Sequence, residues 1–246
     1  MPLQRKVALV TGSATGIGRA VALRFARAGL AVALNYSRSA DEAEATLAAV
    51  RELGVPAVLC KASVADEAAV KEMVARCVGE LGGLDVLVNN AGTTRFIEHT
   101  KLDALTNEVW DEIFGVNLKG TFFCCREALP HLQASGGAIV NITSVAGLQG
   151  SGSSIPYAAS KAAVNSLTKS LARAFGPKVR VNAVAPGPVL TRWLADHMDH
   201  IAGALKVTPM GRAATPDDIA DAVFFLALGT SLMTGQVLVV DGGRTM

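Results

Sequence analysis

The sequence predicts a doubly wound α/β fold, three layers deep, in a single domain over residues 1–246. Three observations predict it. First, a continuous apolar run at 6–11 passes directly into a glycine-rich turn and then a helical pattern, as a strand buried on both faces of a parallel sheet would. Second, strand-like and helix-like stretches alternate up to residue 88. A βαβαβ alternation closes into a parallel sheet through right-handed crossovers. Third, the composition is 50% hydrophobic and 5% aromatic, with 24 glycines among 246 residues. That describes an aliphatic core with many tight turns, at a length such folds reach undivided.

The first strand ends at Gly12-Ser13-Ala14-Thr15-Gly16-Ile17-Gly18. The following helix places Ile17, Val21, Phe25 and Ala28 on one face and stops at Gly29, a C-cap glycine. Glycines let a backbone approach a pyrophosphate, and a helix N-terminus offers free N–H groups and the positive end of a dipole. Gly12, Ser13, Thr15, Gly16, Ile17 and Gly18 are therefore candidates to hold a dinucleotide. The alternative is a tight turn without a ligand.

The second strand, 31–36, ends where a fold preferring NAD places an Asp or Glu on the ribose 2′-hydroxyl. Here the slot holds Asn35-Tyr36-Ser37-Arg38-Ser39, and no carboxylate appears until Asp41. A guanidinium flanked by hydroxyls suits a 2′-phosphate. The expectation is NADP(H) in preference to NAD(H), with Ser37 and Arg38 as readers and Asn35 and Tyr36 in the same site. Arg38 as a solvated loop residue is the alternative.

A helix over 41–53, a strand over 56–60, a helix over 66–81 and a strand over 84–88 follow. A long helix from about 107 to 132 carries Asn117 within an apolar stretch, either as a satisfied core polar group or as a holder of water. A strand over 138–144 delivers Ser144 at its C-terminal end, the edge where ligands of open α/β sheets collect. No G-x-S-x-G elbow surrounds Ser144, so a substrate hydrogen bond fits it better than nucleophilic attack. The glycine- and serine-rich stretch 147–155 reads as a loop leaving an open pocket. Strands over 179–185 and 236–241 and a helix over 219–228, led into by a capped start at Thr215-Pro216-Asp217-Asp218, complete the chain.

Tyr157 and Lys161 stand four residues apart, on one helix face. An ammonium beside a phenol favours the phenolate. Lowering a tyrosine by about three pKa units takes roughly 4 kcal/mol of differential stabilisation. Pro156 pre-organises the start of this helix.

The motifs T-G-x-x-x-G-x-G from Thr11 to Gly18, Asn89-Asn90-Ala91-Gly92, Ser144, Tyr157-x-x-x-Lys161 and Pro186-Gly187 occur in this order along the chain. Jointly they resemble the short-chain dehydrogenase/reductase superfamily, and within it the type that includes 3-oxoacyl-carrier-protein reductases and glucose dehydrogenases. The resemblance implies a Rossmann fold with seven strands in order 3-2-1-4-5-6-7, in a homotetramer. It implies a catalytic set of Asn117, Ser144, Tyr157 and Lys161, with Asn117 bending its helix and ordering a water that relays protons to Lys161. It also implies cofactor contacts from Asn90, Ala91, Gly92, Pro186, Gly187, Val189 and Thr191, and from Tyr157 and Lys161 themselves. One departure stands out: Ser63, beside Val64, occupies the place of an aspartate that touches the adenine amino group.

The expected activity is reversible hydride transfer between nicotinamide and a ketone or alcohol, as in a 3-oxoacyl-type carbonyl reductase. An NAD-dependent alcohol or sugar dehydrogenase and a non-catalytic NADP-sensing protein are the alternatives. The expected partner is a small carbonyl or alcohol substrate. A net charge of +2 gives no footprint for nucleic acid or an anionic membrane. No apolar run reaches the eighteen residues of a membrane span, and the N-terminal run is too short for a signal peptide. Cys60, Cys77, Cys124 and Cys125 lack metal spacing and read as buried thiols of a cytoplasmic protein. His197 and His200 lack further ligands nearby, so no metal is expected. Residues 190–212, with Trp193, Leu194, Met198 and Ile201, read as a helical lid over the substrate, or equally as a rigid surface helix. Arg95 and Lys101 are too sparse a basic patch to predict docking of a carrier protein.

Overall fold

Residues 5–195, 203 and 205–246 are described by the computed structural model. His197, His200, Met198 and Ile201 lie outside the described residues, as does part of the expected lid. Seven strands form one sheet: β1 (Val7–Val10), β2 (Ala31–Tyr36), β3 (Ala57–Lys61), β4 (Val86–Asn89), β5 (Ala138–Ile142), β6 (Arg180–Pro186) and β7 (Val237–Val240). Their order is β3-β2-β1-β4-β5-β6-β7 and every pairing is parallel, as expected.

Side chains of a strand alternate between its faces, and the two cores follow that alternation. Ala8, Val10, Val32, Leu34, Val86, Val88, Val140 and Val184 pack on one face. Helices α1 (Gly16–Arg27) and α2 (Ala40–Glu52) cover it. Val7, Leu9, Ala31, Ala33, Leu87, Ile139 and Val181 pack on the other. That face is covered by α3 (Glu67–Leu81), α5 (Thr121–Ser135) and α7 (Ile155–Phe175). The short α4 (Asn107–Phe114) precedes α5, and α6 (Ala146–Gln149) precedes α7. Helices α8 (Arg192–Ala195) and α9 (Pro216–Phe224) lie towards the C-terminus, and α9 packs with α1 on the first face.

Three boundaries differ from the sequence reading. The helix expected from 107 to 132 is divided by a π-helical segment, Gly115–Gly120, and runs on to Ser135. Part of the expected loop 147–155 is the short α6. The last long helix has the expected capped start, with Thr215 and Asp218 in a reciprocal capping box before Pro216, but it ends in a second π-helical segment, Phe225–Gly229.

All four cysteines are buried free thiols, and burial pushes Cys77 and Cys125 up to about 12. Among the described residues, no helix is long and apolar enough to cross a membrane. No group of three His, Cys, Asp or Glu among them could hold a metal ion.

Candidate active site

The C-terminal ends of the central strands meet at one edge, and the glycine turn after β1 lies there. Thr11 organises it: its hydroxyl accepts the backbone N–H groups of Asn90 and Ala91, both at 3.0 Å. Asn90 answers by donating Nδ2 to the carbonyls of Thr11 and Gly12, both at 2.9 Å. A Cβ on Gly18 would stand 2.4 Å from the Gly12 carbonyl oxygen and 2.5 Å from Asn90 Nδ2, so only glycine lets the turn close on the strand β4 loop. Thr15, the N-cap of α1, makes no side-chain cap bond. The first N–H groups of α1 are thus left for an anion. These features fit a dinucleotide's phosphates.

Asn35 needs correction as a cofactor reader. Its side chain is 2% exposed. Oδ1 accepts the Gly12 N–H at 3.1 Å, while Nδ2 donates to the carbonyls of Cys60 at 3.2 Å and Ala62 at 3.0 Å. Its backbone N–H donates to Ser13 Oγ at 2.9 Å. Asn35 therefore holds the glycine turn and strand β3 rather than facing a ribose. Ser13 is likewise fully buried against Asn35, with only its backbone in the turn. Ser37 and Arg38 are exposed, and the guanidinium of Arg38 has no ion-pair partner among the described residues. Tyr36 is half-buried at the end of β2. Ser63 is exposed beyond β3, and Val64 is buried against Gly120.

Ser144 leaves β5 and accepts the Ala146 N–H at 3.1 Å, which opens α6. Ser154, wholly buried, caps α7 by accepting the Tyr157 N–H at 3.4 Å. This cap, with Pro156 in the first turn, sets Tyr157 beside Ser144, whose hydroxyl favours the phenolate. The sequence reading expects Lys161 to depress Tyr157. The structure shows otherwise: burial pushes the phenol up to about 12, and the Ser144 hydroxyl pulls only partly the other way. Lys161 donates Nζ to the Ile142 carbonyl at 2.9 Å, and burial lowers it to about 8.

Asn117 sits within the π-helical segment between α4 and α5. Such bulges need a local reason. Here Asn117 accepts the Thr93 N–H at 2.8 Å and donates to the Thr93 carbonyl and to Ser160 Oγ, both at 3.0 Å. The side chain ties the strand β4 loop to α7, one residue before Lys161. A Cβ on Gly92 would lie 3.4 Å from Asn117 Oδ1 and 3.6 Å from Lys161 Nζ, so these three groups border one small space.

Pro186 and Gly187 end β6. Gly187 packs so near Asp241 that a Cβ would come within 2.8 Å of the Asp241 Cβ. Val189 is buried and bridges to Ala214. Thr191 stands over the glycine turn, with Cγ2 3.3 Å from where a Gly16 Cβ would be. Trp193 presents its indole to Tyr157 edge-on, with centroids 6.3 Å apart.

Several positioning residues escape a reading of motifs: Ser154, Ser160 and Gly147. A Cβ on Gly147 would stand 2.6 Å from the backbone of Lys161 and Ala162. Only Ser154 carried a local signal, three residues before Tyr157 in the N-cap position.

An open parallel sheet with an uncapped glycine-turn helix and a Ser–Tyr–Lys cluster at the same edge defines a nucleotide-dependent oxidoreductase. A family model described as enoyl-(acyl carrier protein) reductase matches residues 12–245. The chain belongs to this family, the short-chain dehydrogenases/reductases, which act on CH–OH groups with NAD(P). A Streptomyces violaceoruber chain bearing the name of a granaticin polyketide synthase ketoacyl reductase is 47% identical over 241 residues, 96% of this chain and 95% of its own. The 3-oxoacyl-[acyl-carrier-protein] reductase of Staphylococcus aureus is 41% identical over 249 residues, 98% of each. A short-chain dehydrogenase of Burkholderia cenocepacia, solved in complex with NADP, matches with TM-score 0.93 at 36% identity over 100% of both chains.

Proposed function

We propose that the chain is an NADP(H)-dependent carbonyl reductase acting on a 3-oxoacyl-type ketone, with Tyr157 as proton donor. The observation that carries this reading is the placing of Ser144 beside Tyr157, with Lys161 next to the phenol ring, at the sheet edge that also holds the glycine turn. The names of the two relatives support the substrate class.

When bound, the nicotinamide supplies the hydride. Tyr157 holds its proton at neutral pH, because burial raises its pKa to about 12. It is therefore ready to protonate a carbonyl oxygen as that oxygen gains charge. Ser144 donates to the same oxygen and stabilises the developing alkoxide. Lys161, held by the Ile142 carbonyl, would bind the nicotinamide ribose and resupply the proton that Tyr157 gives up. Asn117 acts by holding Thr93 and Ser160 in place around Lys161.

Gly12, Thr15, Gly16, Ile17 and Gly18 hold the pyrophosphate, and Ser37 and Arg38 read the 2′-phosphate. Tyr36, Ser63 and Val64 flank the adenosine. Asn90, Ala91, Gly92, Pro186, Gly187, Val189 and Thr191 line the nicotinamide half. The NADP complex of the Burkholderia cenocepacia relative supports the choice of nucleotide. Phe122 on α5, Phe225 after α9 and Val239 on β7 are each more than a third exposed. These apolar surfaces support assembly into a homotetramer, which light scattering on the purified chain tests.

Tyr157→Phe is the deciding experiment. NADPH oxidation across a panel of β-ketoesters, simple ketones, sugars and steroids is expected to disappear, with NADPH binding retained. Turnover retained by this variant overturns the mechanism.

A further inference from the structure

Three consecutive side chains cross the mouth of the cleft and touch three separate parts of it. Thr191 stands over Gly16 of the phosphate turn. Arg192 donates Nη1 to Glu42 Oε1 at 3.1 Å and Nη2 to Ser39 Oγ at 2.9 Å. Trp193 sets its ring edge-on to Tyr157, at an interplanar angle of 68°.

We propose that Arg192 is a positioning residue that couples the loop after β2 to the substrate wall: its hold on Ser39 and Glu42 sets where Trp193 stands beside Tyr157. This inference rests on the reading of Tyr157 as proton donor and of Ser37 and Arg38 as readers of the 2′-phosphate.

The geometry carries it as follows. A guanidinium gripping two partners fixes direction as well as distance, which a lysine could not do. Trp193 is the next residue, and α8 is only four residues long, so a shift of Arg192 carries the indole with it. A ketone whose oxygen meets the Tyr157 hydroxyl must lay one substituent along that indole. Trp193 thereby selects for flat or apolar substituents, through edge-on aromatic contact and apolar burial. A phosphate dianion bound by Ser37 and Arg38 shifts the segment that carries Ser39 and Glu42, and with it their hold on Arg192. Occupancy of the 2′ end is thus transmitted to the substrate wall. Arg192 and Glu42 are both about half exposed, with side-chain accessibilities of 58% and 49%. An ion pair so exposed is worth little, so the coupling is a matter of a few fold and weakens with salt.

The first test is kinetic. Trp193→Ala should raise KM about tenfold for an aryl ketone and under twofold for a small aliphatic one. Arg192→Ala should raise KM for the aryl ketone about threefold to fivefold, with kcat and the NADPH Kd within twofold. The charge-swapped double variant Arg192→Glu, Glu42→Arg should recover most of that loss, which a merely structural role would not produce. An unchanged ratio of the two KM values in Arg192→Ala overturns the proposal. A rise in NADPH Kd equal to the rise in KM also overturns it, since Arg192 would then be a cofactor ligand.

The second test needs no turnover. In a Trp110→Phe background Trp193 is the sole indole of the chain. Titration with adenosine 2′,5′-bisphosphate should shift its emission, and the added Arg192→Ala change should abolish the shift while calorimetry still records binding. Binding without a shift in the parent overturns the coupling alone. A nucleotide that fails to bind the parent refutes the 2′-phosphate reading, and the coupling to occupancy with it.

Discussion

The ammonium of Lys161 stands 5.7 Å from the centroid of the Tyr157 ring and donates to the Ile142 carbonyl at 2.9 Å. Lys161 is 5% exposed, and burial lowers it from 10.5 to about 8. Between those two values the unfolded chain binds more protons than the folded one, so stability rises with pH there. Below pH 8 the buried charge costs the full amount, on the order of 3 kcal/mol. Lys161→Met should therefore raise the urea midpoint at pH 7 and lose activity. Its advantage over the parent should shrink as pH climbs from 8 towards 10. An advantage that does not vary with pH would show that the ammonium is not desolvated.

Asn35→Asp tests the buried role of Asn35. One carboxylate oxygen would replace the Nδ2 that now faces the carbonyls of Cys60 and Ala62. An uncompensated charge there should cost about 3 kcal/mol in urea unfolding at pH 7. Because burial would raise the new carboxyl's pKa, the deficit should fade towards pH 4 as the group takes up its proton. A stable variant that merely exchanged NADPH for NADH would restore Asn35 as a reader.

Arg38→Ala addresses the 2′-phosphate directly. Loss of a charge-assisted hydrogen bond at an exposed position should raise the KM for NADPH about tenfold. The KM for NADH should stay within twofold. Equal effects on both nucleotides would place Arg38 outside the 2′ site.

Gly147→Ala should disturb catalysis without touching a reacting group. The new methyl would stand 2.6 Å from the Lys161 and Ala162 backbone, so α6 and α7 must part. Overpacking of this kind costs about 1–3 kcal/mol. A lower melting temperature together with a reduced kcat is expected. Unchanged values of both would mean that α6 can shift freely.

Much of this protein can be read from local pattern. The apolar runs, the glycine turn and the alternation of elements specify a parallel sheet, because strand and helix periodicity are properties of neighbouring residues. Tyr157 and Lys161 share a helix face for the same reason. The helix interruption at Asn117 did not show in periodicity. Its cause lies in Thr93 and Ser160, supplied by other elements.

The sequence pointed to the parallel sheet, the phosphate turn and the shared helix face of Tyr157 and Lys161, because each is carried by residue types at short spacing, while the family resemblance supplied the strand order and the role of Ser144. Folding settled what those residues meet. Thr11 and Asn90 are 79 positions apart and hold each other. Arg192 reaches Glu42 across 150 positions. Asn35, which resembled a reader, is turned inward by the packing of β3. The phenol expected to be acidic is held neutral by burial. Partners, solvation and direction depend on elements remote in the chain, and spacing along a sequence does not encode them.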